Sequence, residues 1–315
     1  EDTCGCVESL IKMDYENFEI VICDNDSRSD SLTAIRSWAI SAQASEPTVN
    51  FFSEYSAGAA ISEEQKISAC VTLIHTGGNL GYAGGMNVGI RYALSRGDMD
   101  YVWILNNDTI VEVDALDALV NRSEQNDSIG ITGSSLIYFE DRAKVQAYGG
   151  AEYQSWRGRS SALGAFSQVS SIPNDPVDVE KKMAYVIGAP MLVCKDFITK
   201  IGLMDESYFL YSEEHDWAYK GQKEGFNLGY APKSFVYHKH GATIGTSPSG
   251  GSELSLFYLY RAKVMFTIRY HKMLLPFVVF FLTWESLKFI VKGHPKKAYA
   301  AISGMLASKS GGTMV

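Results

Sequence analysis

VTLIHTGGNLGYAGGMNVGIRYALSRGDMDYVWILNNDT, residues 71–109, decides the fold. It opens on an apolar run at 71–74 and passes through a glycine-rich loop at 77–85. A helical pattern follows over 87–96. It closes on a second apolar run, 101–105, that ends in Asn106, Asn107 and Asp108. Short apolar runs bounded by turn residues read as buried strands, and the unbroken apolar character of YVWIL asks for cover on both faces. Strand, loop, helix and strand in succession imply an α/β domain with a mainly parallel, Rossmann-like sheet flanked by helices. Ligands of such sheets sit beyond the carboxyl ends of the strands.

Upstream, the run FEIVIC at 18–23 ends in Asp24 and reads as another strand, with a helix predicted before it at 1–13. An α/β domain more often opens with a strand, so a first strand is expected upstream and is missing from this chain. A helix is predicted at 31–40, and 41–70 reads as a polar insertion. Downstream, a helix is predicted at 113–121 and strands at 129–139, 185–193, 226–230 and 235–238, the last two flanking a turn at Pro232. From 254 onward the pattern is helical. The expected organisation is a domain at 1–250 followed by a helical region at 251–315.

The net charge of −8 argues against nucleic acid as a partner. That charge is uneven. Residues 257–297 hold eight Lys or Arg and one acid, Glu285, a local charge of +7 that leaves about −15 for the rest. Within them, 274–291 is strongly apolar and as a helix would be about 27 Å long, near the thickness of a hydrocarbon core. Glu285 and Lys288 inside it favour a helix lying in the membrane surface or packed on a partner over one that spans the bilayer, with ordinary core packing the other reading. The five cysteines form no CxxC pair, so they read as free thiols of a reducing cytosol. No signal-peptide pattern is visible at the start.

Several polar groups fall at strand ends. Glycines in the 77–85 loop let backbone N–H groups approach a ligand, and the helix behind it aims its positive end at an anion. Asp108 can hold a divalent cation of the kind that bridges two phosphates. Glu213, Glu214 and Asp216 form an acidic cluster, and like charges held together raise a pKa into the range of a general base. His238 and His240, two apart, would share one face of a strand, and a neutral imidazole can join a metal's ligands. Each feature also has a plain structural reading: a tight turn, a helix cap, a solvated helix start, a core histidine.

Together the segments VICDNDSRSD (21–30), GGNLGYAGGMNVGIRYAL (77–94), YVWILNNDT (101–109), VIGAPMLVCKDFITKIGLMDESYFLYSEEHDWAYK (186–220) and GFNLGYAPKSFVYHKHG (225–241) resemble the family-two inverting glycosyltransferases of GT-A fold. The similarity is to their rhamnosyltransferase-like and galactofuranosyltransferase-like branch. It implies a nucleotide-sugar transferase dependent on Mg2+ or Mn2+. Asp24 would contact the nucleobase, and Asn79, Gly81, Asn87, Asn106 and Asn107 would line the nucleotide-sugar site. Asp108 and His238 would hold the metal. Glu214 would be the catalytic base, with Glu213 and Asp216 beside it and His215 facing solvent. Position 106 is Asn and position 214 is Glu where the family usually has Asp. The donor is expected to be a nucleoside-diphosphate sugar, with rhamnose as first choice. The acceptor is expected to be a glycan or lipid-linked hydroxyl of cell-wall or polysaccharide synthesis. The enzyme is expected to be cytoplasmic and peripheral on the membrane. A sugar nucleotidyltransferase and an inactive membrane-bound scaffold are the competing readings.

Overall fold

The structure, a computed structural model, describes residues 1–27, 29–45, 51–61, 70–239 and 251–308. Helix α1 (Asp2–Ile11) leads to β1 (Ile20–Asp24), α2 (Ser29–Ser45), β2 (Phe52–Ser56), the single turn α3 (Ala57–Ala60) and β3 (Val71–His75). Then come α4 (Gly81–Arg96), β4 (Tyr101–Leu105), β5 (Thr109–Val111), α5 (Ala115–Glu124), β6 (Ile129–Tyr138), β7 (Val145–Tyr148), β8 (Gly150–Gln154) and β9 (Arg159–Ala162). The chain continues through α6 (Val177–Glu180), β10 (Tyr185–Val186), β11 (Pro190–Cys194), α7 (Lys195–Ile201), α8 (Glu213–Lys223) and β12 (Asn227–His238). It closes with α9 (Glu253–Tyr270), α10 (Leu275–Val291) and α11 (Pro295–Ala307).

The parallel part of the architecture is the sheet β1-β3-β2, in which Asp24 lies in register with His75. A larger sheet runs β4-β11-β6-β12-β5, with β7 on β6. Only its β6–β12 pair is parallel, so this sheet is mixed. A small antiparallel sheet, β10-β8-β9, lies apart from these two. Among the described residues β1 and β4 are each paired on one edge only.

Alternation along the strands builds the layers. Tyr101, Trp103 and Leu105 of β4, with Leu192 of β11, pack into a core that also contains Val7 and Leu10 of α1 and Leu116 and Leu119 of α5. Val102 and Ile104, with Met191 and Val193, face the opposite core, shared with Ile90 of α4, Phe197 of α7 and Trp217 of α8. The double cover expected for YVWIL is met in this way.

Several expectations change. Helix α4 starts at Gly81, so half of the predicted loop is its first turn and Asn87 lies inside it. The 41–70 stretch is more than an insertion: α2 runs to Ser45, and β2 extends the parallel sheet with the buried Phe51 before it. Parts of that stretch, and His240, lie outside the described residues. The run 185–193 divides into β10 and β11, which belong to different sheets. The predicted turn at Pro232 is an irregularity within β12: the register shifts between Ala231 and Phe235, which accommodates a residue that has no N–H to give.

Candidate active site

Asp24, at the end of β1, accepts from Ser27 N at 3.0 Å and lies 3.0 Å from Nδ1 of His75. Burial opposes its charge, but these hydrogen bonds outweigh burial and hold its carboxyl below the usual range. The other nitrogen of His75 meets Glu54 of β2, which Arg36 of α2 grips with two hydrogen bonds at 3.1 and 2.6 Å. Glu54 and Asp24 raise the imidazole's pKa. Asp24 is thus one end of a chain of four alternating charges.

The loop after β3 opens outward at Gly77 and Gly78, where an added Cβ would meet nothing. Asn79 turns its side-chain oxygen onto Gly81 N at 3.1 Å and shapes the start of α4. Gly81 itself faces inward. Its φ is 71°, and a Cβ there would lie 2.3 Å from the carbonyl oxygen of Phe209. Tyr82 N donates to that same carbonyl at 2.7 Å. The glycine at 81 therefore permits a backbone contact between α4 and the segment that delivers the acids.

That segment is unusual. Phe209, Tyr211 and Ser212 all have positive φ, near 63–68°, which is costly for residues with a Cβ. It is held from outside. Arg261 of α9 donates to the carbonyls of Ser207 and Tyr208, Tyr211 bonds Ser255, and Phe209 stacks on Tyr258. Helix α8 starts at once, with Glu213 and Glu214 in its first turn. Burial, and then the charge of Glu214, push Glu213 well above the usual carboxylate range. Its Oε2 is buried with no hydrogen-bond partner. Burial alone raises Glu214, the more accessible of the two, to about 7.

Tyr82 stands among Glu213, Glu214 and Asp108, and donates its hydroxyl to Gly188 O at 2.9 Å. Burial, and then these three acids, raise its pKa and keep it a neutral phenol. Tyr185 of β10 lies close to Glu214.

Asp108 is buried between β4 and β5. His238 Nε2 lies 3.3 Å from its Oδ1, which meets no hydrogen-bond donor. The other ring nitrogen of His238 is 3.0 Å from Oε1 of Gln146. In the neutral tautomer that donates Nδ1–H to Gln146, the lone pair of Nε2 is the atom facing Asp108. Two ligands about 2.1 Å from a cation and at right angles lie about 3.0 Å apart, so this pair has a suitable bite for Mg2+ or Mn2+. No group of three His, Cys, Asp or Glu converges among the described residues. The remaining ligands would come from phosphate and water, as such cations prefer.

Residues 48–164 match the family described as Glycosyl transferase family 2. That stretch is similar to a family 2 glycosyltransferase domain. It is 26% identical over 156 residues to a hexosyltransferase of low-salt glycan biosynthesis from Haloferax volcanii, covering 50% of this chain and 48% of that protein. It is 26% identical over 207 residues to the N-acetylglucosaminyl-diphospho-decaprenol L-rhamnosyltransferase of Mycobacterium tuberculosis, covering 57% and 62%. The chain thus spans about half to three fifths of the length of the curated relatives it matches. Among solved structures it is similar to GalNAc-T7 with UDP, GalNAc and Mn2+, at 16% identity and a TM-score of 0.55 over 82% of this chain and 44% of that one. It is also similar to a mannosyltransferase from Pyrobaculum calidifontis with GDP-Man and Mn2+, at 12% identity and 0.52, over 98% and 84%. The likeness is one of fold, the GT-A fold.

Within this GT-A-like fold, Asp108 and His238 come together, and Glu213 and Glu214 share one corner beside Tyr82. Asn106 donates its N–H to Ala189, and Asn107 is exposed and bonds Thr3 of α1. Asn87 leaves the loop: fully buried in α4, it donates to the carbonyl of Met204 and to Glu206. Asp216 leaves the site. It is fully buried and held by Arg269 at 2.8 Å, Lys220 at 2.6 Å, Tyr270 at 2.7 Å and Tyr208 at 3.1 Å. His215 does not face solvent. Its ring stacks on Phe266 at 3.9 Å and touches Tyr153 and Tyr185, and burial lowers its pKa to about 3. Tyr82, Tyr185, His75 and Glu54 were not foreseen. For Tyr82 a signal existed, since an aromatic inside GYAGG has no place in a plain turn.

Proposed function

We propose that the chain is an inverting, divalent-metal-dependent glycosyltransferase. It moves a hexosyl group, rhamnose being the first choice, from a nucleoside diphosphate to a hydroxyl of a lipid-linked glycan. The observation that carries this reading is one half-buried tyrosine, Tyr82, which feels the charges of Asp108, partner of His238, and of Glu213 and Glu214 together. The relative named for a diphospho-decaprenol acceptor supports the lipid-linked class. Such an acceptor would place the enzyme at the cytoplasmic face of a membrane.

Asp108 and His238 would hold Mg2+ or Mn2+, which when bound neutralises the departing diphosphate. The open backbone of Gly77 and Gly78, with Asn79, receives the nucleotide, and Asp24 offers its carboxyl to the base. Glu213, the deeper acid, stays protonated. Glu214 then takes the proton from the acceptor hydroxyl as that oxygen forms its bond to the anomeric carbon. A single displacement of this kind inverts the sugar. Nothing in the site favours a nucleotidyltransferase.

The test is a thermal-shift titration of nucleoside diphosphates with and without Mn2+. Binding should be Mn2+-dependent, and Asp108→Asn should weaken it at least about tenfold, close to 1.4 kcal/mol. His238→Gln should do the same. Metal-independent binding that both variants leave intact would remove the metal from this reading.

A further inference from the structure

We propose that the outer face of α10, together with the tip of the β8–β9 hairpin, is a docking surface for an anionic lipid bilayer. The helix is seated by one stripe, Val278, Leu282 and Ser286, each fully buried and four residues apart. The opposite side is mostly apolar and open, with Lys288 among its exposed residues. Met273 is 88% exposed, Phe280 64% and Trp284 57%, and Leu287, Ile290 and Val291 continue the face. A shallow cavity of about 250 Å³ lies between Trp284, Leu287, Lys288, Val291 and Lys292.

The hairpin extends this face towards the catalytic domain. Exposed Trp156 meets Phe281 edge-on at 5.1 Å, and the Arg157 guanidinium lies 4.9 Å from the same ring. Gly158 sits against Val278 and Lys263, which locks the turn to α9 and α10. Strand β8 of the hairpin pairs with β10, which carries Tyr185, the neighbour of Glu214. The hairpin thus links the open face to the corner that holds the proposed base.

The charges select the occupant. Lys272, Lys288, Lys292 and Lys296 are exposed around the apolar face. Glu285, the only acid in 257–297, points inward and accepts from Tyr260 at 3.5 Å. Lysines on flexible stems, tryptophan and a wide apolar stripe suit a helix lying in the interface of an anionic leaflet. A second copy docked face to face would set lysines against lysines. A spanning helix would have to leave α9, which holds α10 by its buried stripe and Asp216 by Arg269.

This surface rests on the proposed function only for the reason a membrane is visited, so its test needs no sugar. The full chain is floated with vesicles of phosphatidylcholine alone or mixed with phosphatidylglycerol. Binding should be about tenfold or more stronger to the anionic vesicles and should be released by high salt. Phe280→Glu with Trp284→Glu should abolish it, and Lys288→Glu with Lys292→Glu should remove the anionic preference. All are exposed positions, and an unchanged melting curve verifies folding. Equal binding to both vesicles, no binding, a concentration-dependent dimer in its place, or protein that resists salt and carbonate extraction would each overturn the proposal. Vesicle binding by a chain that shows no donor hydrolysis would support the surface and count against the activity alone.

Discussion

Glu214 and Asp216 lie two residues apart on one helix, about 200° around its axis, so they cannot serve one pocket. The acidic cluster was visible in the sequence, while the choice of Glu214 came from the family resemblance. The burial of Asp216 was not, because its partners Arg269 and Tyr270 come from more than fifty residues downstream. With Glu214 as base, Glu214→Gln should lower transfer by about 10²–10⁴-fold and leave donor affinity nearly unchanged, because only a transition-state contact is lost. Turnover that stays near normal would move the base elsewhere. The raised pKa adds a second readout. A base must be deprotonated, so kcat/KM should climb as pH rises through about 7. Stability should move the other way. Folding keeps the proton that the unfolded chain loses near its ordinary value, so this contribution is full below about 4.5 and is lost as pH rises to about 7. Denaturant melts of wild type and Glu214→Gln across this window should diverge with that sign.

At the scale of elements, the helix that matters most for the acids is α9. By sequence it belonged to a basic tail, because charge and hydropathy report what a residue is and not which atoms it reaches. In the fold its basic residues divide. Arg261 ties the 207–208 carbonyls and Arg269 bridges Asp205 and Asp216, while the lysines beyond α9 stay outside. The helix therefore clamps the strained 209–212 turn that presents Glu213 and Glu214. Arg269→Met leaves Asp216 with Lys220 and two tyrosine hydroxyls. It should cost about 2 kcal/mol, below the full loss expected for a buried charge left alone. It should also reduce kcat more than donor affinity, since Asp108 and the 77–79 loop are untouched. A variant as stable and as active as wild type would show that the site does not depend on the Arg269 bridge. The sequence was more legible for the strands. The alternation in β4 and the placement of Asp24 and Asp108 at strand ends follow from local pattern, whereas the start of α4 at Gly81 depends on the distant Phe209.

On the scale of the whole molecule, the sheets, the acid-bearing helix and the apolar face are joined in series. α8 packs against α9 through His215, Tyr219 and Phe266, and α9 packs against α10 and α11 around Tyr260, Val264 and Leu282. A boundary at residue 250 would cut through this series, so the division into 1–250 and 251–315 is expected not to give two units that fold apart. Two truncations distinguish the cases. A chain ending after Tyr270 keeps Arg261, Phe266, Arg269 and Tyr270, and loses only α10 and α11. It should fold less stably, because apolar residues of α9 such as Val264 become exposed, yet keep measurable donor hydrolysis. A chain ending at Gly250 strips the cover from His215 and takes Arg269 and Tyr270 from Asp216, leaving it Lys220 and Tyr208. Leaving a buried charge without its main partner costs about 3–5 kcal/mol, a large share of a domain's stability. That chain should melt far lower and lose donor hydrolysis even where it remains soluble. Should the shorter chain hydrolyse donor as well as the longer one, α9 would be dispensable to the site, and the two-unit division would stand.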